Sequence, residues 1–155
     1  TEAVKKYGFV LQHLDEELRD DKDVVMVAVK QEGRALQFAS ERLRDNKQIV
    51  MEAVKQNFKM LLLTEEGEKV MDVNFGVGLR KELFENFSLS TSHAIRERIV
   101  TQTKTYLPFV RVTNIFFGDS LELNPEDIDK NQLSISIEYE ILPLKFLDKV
   151  QIKVF

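Results

Sequence analysis

Two glutamates near the end of the chain have the type and spacing that could cleave a glycosidic bond. Glu138 and Glu140 stand two residues apart in a stretch that alternates between polar and apolar side chains. Carboxylates two apart on a strand lie roughly 7 Å from each other on one face, within the range that glycosidases use. The alternation places both on the solvated face, where nothing in the sequence separates an acid role from a base role. We therefore predict no catalytic residue, and keep a glycosidase as the alternative hypothesis.

A second group of oxygen-bearing residues resembles part of a calcium loop. Asp127, Asp129 and Asn131 occupy positions 1, 3 and 5 of that pattern, and Glu138 occupies position 12. Position 6 is Gln132, whereas the sharp turn of such a loop requires glycine. A polar turn that opens a strand is the favoured interpretation. The chain has no cysteine and its two histidines are far apart, so we predict neither a metal site nor a cofactor.

The charge and hydropathy of the chain exclude two classes of partner. Its 22 basic and 26 acidic residues are interspersed and give a net charge of −4, whereas nucleic-acid binding requires a concentrated cationic surface. The longest apolar runs, such as Met60–Leu63, are far too short to span a bilayer, and no signal peptide is recognisable. We expect a soluble globular protein that binds neither nucleic acid nor membrane.

The first third of the chain is an internal repeat. Residues 2–26 align with residues 27–51 without gaps, about half of the positions are identical, and a third copy begins at Glu52. Each copy reads as a helix, a bend at Gly8 or Gly33, and a second helix. Asp20 and Asp45 are predicted to cap the helices that follow them. Such units bury their apolar faces by stacking. An interaction surface and a solvated helical addition are equally compatible with this pattern.

The rest of the chain predicts an α+β domain. A helix over residues 48–63 has one apolar stripe and ends before Gly67, which suits a left-handed cap. A short helix near 79–84 and a longer one that ends before Pro108 come next. Strands are then predicted over 109–117, 132–142 and 149–155, the second with strict alternation. This order implies a small antiparallel sheet with helices on one face.

The stretch from Met60 to Arg80 resembles the signature of the phage baseplate wedge family, whose members are also called tail-sheath initiators and have counterparts in type VI secretion. Members carry a helix that ends in "LLLT", followed by "GE", "FG.GL" and "LF". The matching residues are Gly67, Glu68, Phe75, Gly76, Gly78, Leu79, Arg80, Leu83 and Phe84. The resemblance runs from about Ile49 to the end of the chain. The repeats are similar to a short helical repeat without an established activity.

The resemblance implies a structural protein without catalysis, which docks on the baseplate wedge proteins and starts the tail sheath. Members usually carry Glu-Pro-Arg at the wedge contact, whereas this chain keeps only the proline. The corresponding residues are Leu107, Pro108 and Phe109, with Arg111 close by. Sheath subunits would add strands to the open edge of the C-terminal sheet. The residues of that sheet are Leu133, Ile135, Ile137, Tyr139, Ile141, Val150, Ile152 and Val154.

The resemblance also implies a location and an alternative activity. The protein is expected in the virion, in the ring of the tail baseplate, after assembly in the host cytoplasm. The baseplate of a bacterial secretion system is the alternative location. Because some members are labelled lysozyme-like, the alternative function is a peptidoglycan-cleaving tail enzyme. We predict two domains, a helical repeat region over residues 1–46 and a sheath-initiator domain over residues 47–155.

Overall fold

The computed structural model describes residues 2–70, 72–84, 89–118, 133–142 and 145–154, without the side chains of residues 82–84, 89, 133, 153 and 154. The calcium-loop candidates Asp127, Asp129 and Asn131 lie outside the described residues. The chain forms two compact units, Thr1–Met60 and Leu61–Phe155. The predicted domain division at 46/47 stays a prediction.

The first unit consists of helices that repeat in the order the sequence predicts. Each copy has an α-helix, a 3-10 helix that begins at the glycine, and a one-turn α-helix. The first copy contains α1 (Glu2–Lys6), the 3-10 helix Gly8–His13 and α2 (Glu16–Arg19). α3 (Lys22–Gln31) begins at the end of the first copy and continues into the second, which also contains the 3-10 helix Gly33–Phe38 and α4 (Glu41–Arg44). α5 (Lys47–Leu63) begins at the end of the second copy and continues through the third copy into the second unit.

The predicted N-caps are wrong by one residue. Asp21, not Asp20, caps α3, because its carboxylate accepts from the backbone N–H groups of Asp23 and Val24 at 2.8 and 3.0 Å. Asn46 likewise accepts from the N–H groups at the start of α5 at 3.1 and 3.3 Å. Asp20 and Asp45 instead end the preceding one-turn helices. In each copy two adjacent residues are good caps, and the turn before them decides which one has the extended backbone that a cap requires.

The first unit is held together by an apolar core and by a polar cluster between its copies. The core residues without exposed surface are Val4, Leu11, Val25, Ala28, Val29, Ala35, Leu43 and Ile49. The Ser40 hydroxyl donates to the Asp20 carboxylate, and Arg42 lies 3.1 Å from the same group. These contacts lower the pKa of Asp20, the Ser40 hydrogen bond most.

The second unit is α+β, as predicted. After α5 it contains α6 (Leu79–Phe84), α7 (Leu89–Tyr106), β1 (Val110–Phe117), β2 (Leu133–Ile141) and β3 (Phe146–Val154). The strands form one antiparallel sheet in the order β1-β2-β3. The last strand begins at Phe146, three residues earlier than predicted. Gly67 has the predicted left-handed conformation, with φ +86°, but it lies in the turn after α5 rather than at the helix cap.

The two faces of the sheet differ in composition as the alternation predicts, but Ser134 and Ser136 on the polar face are buried, contrary to the predicted solvent exposure of that face. Cross-strand partners such as Ile115, Ile137 and Val150 are buried together on one face. α7 packs against β1 and α6 against β3, which covers this apolar face with helices. The other face carries mainly polar residues, including Glu138 and Lys149 as partners. None of the helices in the described parts of the chain is long and apolar enough to cross a membrane.

Candidate partner-binding surfaces

The signature segment folds back onto the end of α5. The Val77 N–H donates to the Leu61 carbonyl at 3.0 Å, and the Gly78 N–H donates to the Thr64 carbonyl at 2.9 Å. Gly76 has φ +120°, and a Cβ added there would collide with the Thr64 carbonyl oxygen. Glycine is therefore required at position 76 both for its backbone conformation and for the close approach of two chain segments.

Three side chains of α7, spaced four residues apart, hold the signature segment in place. Gln102 accepts from the Gly76 N–H at 3.2 Å and donates to the Asn74 carbonyl at 2.8 Å. Arg98 donates to the Val77 carbonyl at 3.3 Å. The Tyr106 hydroxyl donates to the carboxylate of Asp72 at 3.0 Å. Burial, followed by this bond and the Asp72 charge, raises the pKa of Tyr106.

These contacts indicate that several signature residues shape the scaffold. Phe75 is buried and packs edge-to-face on Tyr106 with ring centroids 4.9 Å apart, and Leu79 is buried at the start of α6. Glu68 accepts from the Glu65 N–H at 3.1 Å, and Arg80 is exposed. The side chains of Leu83 and Phe84 are not among those that the structure describes. The sequence did not identify the residues of α7, although their spacing of four places them on one helix face.

The four residues predicted to contact the wedge lie at the turn from α7 to β1, and they differ in exposure. Leu107 is buried, and its N–H donates to the Thr103 carbonyl at 2.8 Å. Phe109 is 37% exposed. Pro108 and Arg111 line a shallow cavity of about 230 Å³. Its other lining residues are Val100, Thr103, Lys104, Val110, Val112 and Leu142. Two of the four predicted residues, Pro108 and Arg111, therefore line an open groove, whereas Leu107 is buried.

Both glutamates that could serve a glycosidase engage side chains of β1. Asn114 donates to the Glu138 carboxylate at 2.8 Å. The Arg111 guanidinium lies 3.5 Å from the Glu140 carboxylate. Arg111 therefore balances a charge within the sheet as well as lining the groove. Among the described residues, no group of three or more histidine, aspartate or glutamate side chains could hold a metal ion.

The strand order restricts where the sheet can accept another strand. β2 pairs with β1 on one side and with β3 on the other, so its backbone groups are already paired, and the predicted participation of its residues in strand acceptance stays a prediction. Ile135, Ile137, Tyr139 and Ile141 on β2 are buried on the inner face, as are Val150 and Ile152 on β3. The backbones of Leu133 and Val154 pair with each other. These residues form the sheet itself. Among the described strands, an added strand could pair only with the outer side of β1 or of β3.

The two outer edges are not equivalent. β1 has an irregularity between Val112 and Asn114, where the Thr113 hydroxyl donates to the Glu138 carbonyl at 3.0 Å. Such bulges bend an edge and hinder pairing. The pairing of β3 with β2 runs without a register shift from Phe146 to Val154. Within the described residues, no strand pairs with the other side of β3. Among the described strands, β3 therefore has the regular edge without a second neighbouring strand.

The hydrogen-bonding groups on this edge can be assigned from the pairing. The N–H groups of Gly118 and Leu142 bond across to Ser134 and Phe109, so the even-numbered residues of β2 point their backbone groups at β1. The odd-numbered residues of β2 point their backbone groups at β3, and their partners on β3 carry even numbers. In an antiparallel pair, residues between the bonded ones direct their N–H and C=O outward. The outward groups of β3 therefore belong to Leu147, Lys149, Gln151 and Lys153.

One outward group is already occupied. The Lys149 N–H donates to the carboxylate of its own neighbour Asp148 at 2.8 Å. The other oxygen of Asp148 accepts from the Tyr139 hydroxyl on β2 at 3.0 Å. Tyr139 is fully buried, so it holds the carboxylate close to the edge. Asp148 thus satisfies a donor that would otherwise be available to an incoming strand.

Comparison with solved structures first defines the class of fold. A Geobacter sulfurreducens crystal structure, provisionally named a tail lysozyme, matches 68% of this chain and 89% of its own chain, with a TM-score of 0.53 at 19% identity. At that identity the match shows a shared α+β fold. No curated protein matches the chain.

Family models then identify the two parts of the chain. Residues 49–143 match the family described as baseplate wedge protein gp25, which is more than half of the chain. The chain belongs to the baseplate wedge protein gp25 family, and the predicted resemblance is confirmed. Residues 1–41 and 28–63 each match a domain of unknown function (DUF4116). Two overlapping matches are what a tandem repeat produces.

Proposed function

We propose that this protein is a structural component of the baseplate of a contractile tail, and that it starts the tail sheath by accepting a β-strand on β3. The repeat region, residues 1–46, and the initiator domain, residues 47–155, serve as separate binding modules. Its place is the virion, in the ring of the baseplate, with the baseplate of a bacterial secretion system as the alternative. Its partners are the tail sheath protein and the wedge proteins, without nucleic acid or membrane.

The regular edge of β3 carries this proposal. Its outward N–H and C=O groups alternate with apolar side chains that point to the helix-covered face, so an added strand would extend both the ladder and the core. Leu147 on the opposite face is 66% exposed and offers an apolar contact beside the edge. The bulge in β1 leaves β3 as the favoured acceptor.

The groove at the turn from α7 to β1 is the proposed wedge contact. Pro108 and Arg111 line it, and Phe109, which follows Pro108 in the chain, is partly exposed. An aromatic side chain next to a groove is a common anchor at protein interfaces. Phe109 would thus supply by apolar burial what the Glu-Pro-Arg motif supplies through charge. Replacing Phe109 with alanine should weaken wedge capture, whereas Thr105→Ala in the last turn of α7 should not.

A proline scan of β3 tests strand acceptance. Proline lacks the backbone N–H and is tolerated on the outer side of edge strands. Gln151→Pro removes one outward donor and leaves the bonds to β2 in place, and Gln151→Ala is the matched control. Co-assembly with the sheath protein of the same machine should be lost in the proline variant and kept in the alanine variant. Equal sheath capture by both variants, each folded by circular dichroism, would refute acceptance at β3.

The proposal includes the absence of catalysis. The Asn114 and Arg111 contacts of Glu138 and Glu140 support structural roles for both carboxylates. A cell-wall zymogram of the wild type should show no clearing. Clearing that disappears in Glu138→Gln and Glu140→Gln variants would instead establish the peptidoglycan-cleaving alternative.

A further inference from the structure

The loop between Gly67 and Val73, which we call the signature loop, is described apart from position 71 and is fixed by hydrogen bonds. The Gly67 N–H donates to the Val73 carbonyl at 2.9 Å and closes the loop at its base. The Asp72 N–H donates to the Lys69 carbonyl at 3.1 Å within the loop. The Tyr106 hydroxyl of α7 donates to the Asp72 carboxylate at 3.0 Å. The loop is therefore held both from within and from α7.

Two valines of the signature loop are exposed to solvent. Val70 is 92% exposed and Val73 is 59% exposed. Single exposed apolar side chains are common on protein surfaces, but these two belong to a loop with a fixed backbone. A fixed loop loses little conformational entropy when a partner binds, so the burial of its apolar side chains contributes almost fully to affinity. The valines are thus suited to contact another protein.

The carboxylates at the loop are exposed, whereas its lysine is turned toward the domain. Glu65 and Glu66, just before the loop, and Glu68 within it are exposed. The Lys69 ammonium lies 3.9 Å from the centroid of the Phe75 ring, which is buried. A surface complementary to this loop therefore has an apolar pocket bordered by Lys or Arg side chains.

The helix that holds the signature loop also borders the proposed wedge groove. Tyr106 binds Asp72 of the loop, while Thr103 and Lys104 of the same helix line the groove. α7 packs against β1, whereas the proposed sheath edge is β3, which is two strands away in the order β1-β2-β3. The loop is therefore connected through α7 to the surface assigned to the wedge proteins.

We propose that the signature loop is a second contact for the wedge proteins, and that its two valines enter an apolar pocket bordered by Lys or Arg side chains of one wedge protein. This inference rests on the proposed docking to the wedge and adds a contact to it. Apolar burial of Val70 and Val73 supplies affinity, and the neighbouring carboxylates orient the encounter.

The test measures binding of the full chain to the purified wedge proteins of the same machine by biolayer interferometry. Val70→Asn combined with Val73→Asn should raise the Kd at least about tenfold, because an amide without a partner is costly in an apolar pocket. Val70→Ile combined with Val73→Ile keeps the apolar contact and should stay within about threefold of the wild type. Since both positions are exposed, the melting temperature should not change in either variant. Unchanged binding by the asparagine variant would overturn the proposal.

A second pair of variants tests the charge of the pocket. Glu65→Gln combined with Glu66→Gln should make the Kd less dependent on salt concentration. Glu16→Gln combined with Glu17→Gln removes the same charge from two exposed residues of the repeat region and should leave the salt dependence as it is. An equal change in both variants would show that only net charge matters, and would overturn the basic border of the pocket.

The groove variant Phe109→Ala separates this inference from the proposed function. If Phe109→Ala abolishes wedge binding and the asparagine variant of the loop does not, the groove is the wedge contact and the loop is not. Loss of binding in the loop variant supports the inference whatever the result at Phe109. If the wild type does not bind the wedge proteins, the proposed docking and this inference fail together.

Discussion

The two units of this protein bury their apolar faces through different kinds of contact. In the first unit, each helical copy buries its apolar face against the next copy through one repeated contact between a glycine turn and an alanine helix. In the second unit, a three-stranded sheet buries one face against helices, and its signature segment is fixed by hydrogen bonds from α7. The first unit uses a contact that can be copied, and the second uses contacts that occur once.

This difference decides where each unit can bind a partner. A repeat interface is specified by shape, because a glycine turn must fit closely against a helix carbonyl of the next copy. A sheet edge is specified by backbone groups that any extended strand can satisfy, so selectivity must come from devices such as the β1 bulge and the Asp148 contact. We expect the repeat contact to be selective because of its shape, and the sheet edge to be selective because these two features hinder unsuitable strands.

The largest effect is expected from Gly76→Ala in the second unit. The substitution places a Cβ against the Thr64 carbonyl in a backbone conformation with φ +120°, and we expect a loss of roughly 3 kcal/mol or more in the free energy of unfolding. Gly67→Ala is the matched control, since its φ is +86° but nothing lies within 4 Å, and it should cost only about 1–2 kcal/mol. Urea denaturation measures both. Similar losses would show that conformation alone, without contact, requires glycine at position 76.

The next effect concerns the repeated contact of the first unit. Gly8→Ala and Gly33→Ala should each lower the free energy of unfolding by about 1–3 kcal/mol, because the added Cβ meets a carbonyl at the same 2.5 Å in both copies. The exposed Gln37→Ala should change it by less than about 0.5 kcal/mol. If only one of the two glycine variants were destabilised, the copies would not be energetically equivalent.

A smaller effect on stability, with a clear effect on binding, is expected from Asp148→Ala. This variant releases the Lys149 N–H to an incoming strand, so capture of sheath protein should rise several-fold and self-association should become measurable by analytical ultracentrifugation. Asp148→Asn retains an oxygen acceptor and should resemble the wild type. If the alanine variant loses sheath capture while remaining folded, Asp148 would contribute a contact to the partner instead of shielding the edge.

The smallest effect is a pH dependence of the first unit. Ser40 and Arg42 hold the pKa of Asp20 below its usual 3.8, so this carboxylate stabilises the folded unit above pH 3.8. The stabilisation is lost as the pH falls from there through the folded-state pKa. Asp20→Asn should therefore flatten the dependence of the melting temperature on pH below 3.8. The exposed Asp15→Asn serves as the control, and equal flattening by both variants would contradict a special role for Asp20.

The sequence by itself determined the local patterns of this protein. The repeat, the long helix, the alternation of β2 and the fold class were all predicted, because periods of 25, 3.6 and 2 residues are written in the chain itself. The signature from Met60 to Arg80 also identified the family. These features depend on neighbours along the chain, and the side chains that define them are visible in the sequence.

Only the tertiary structure decided which groups meet. Whether β2 or β3 forms an edge depends on strand order, and the role of Asp148 depends on which way the Lys149 N–H points. The reason for Gly8 is likewise a carbonyl 20 residues away, which no local pattern reveals. Hydrogen bonds and close contacts are short-range in space but unrestricted along the chain, so their partners are fixed only when the chain has folded.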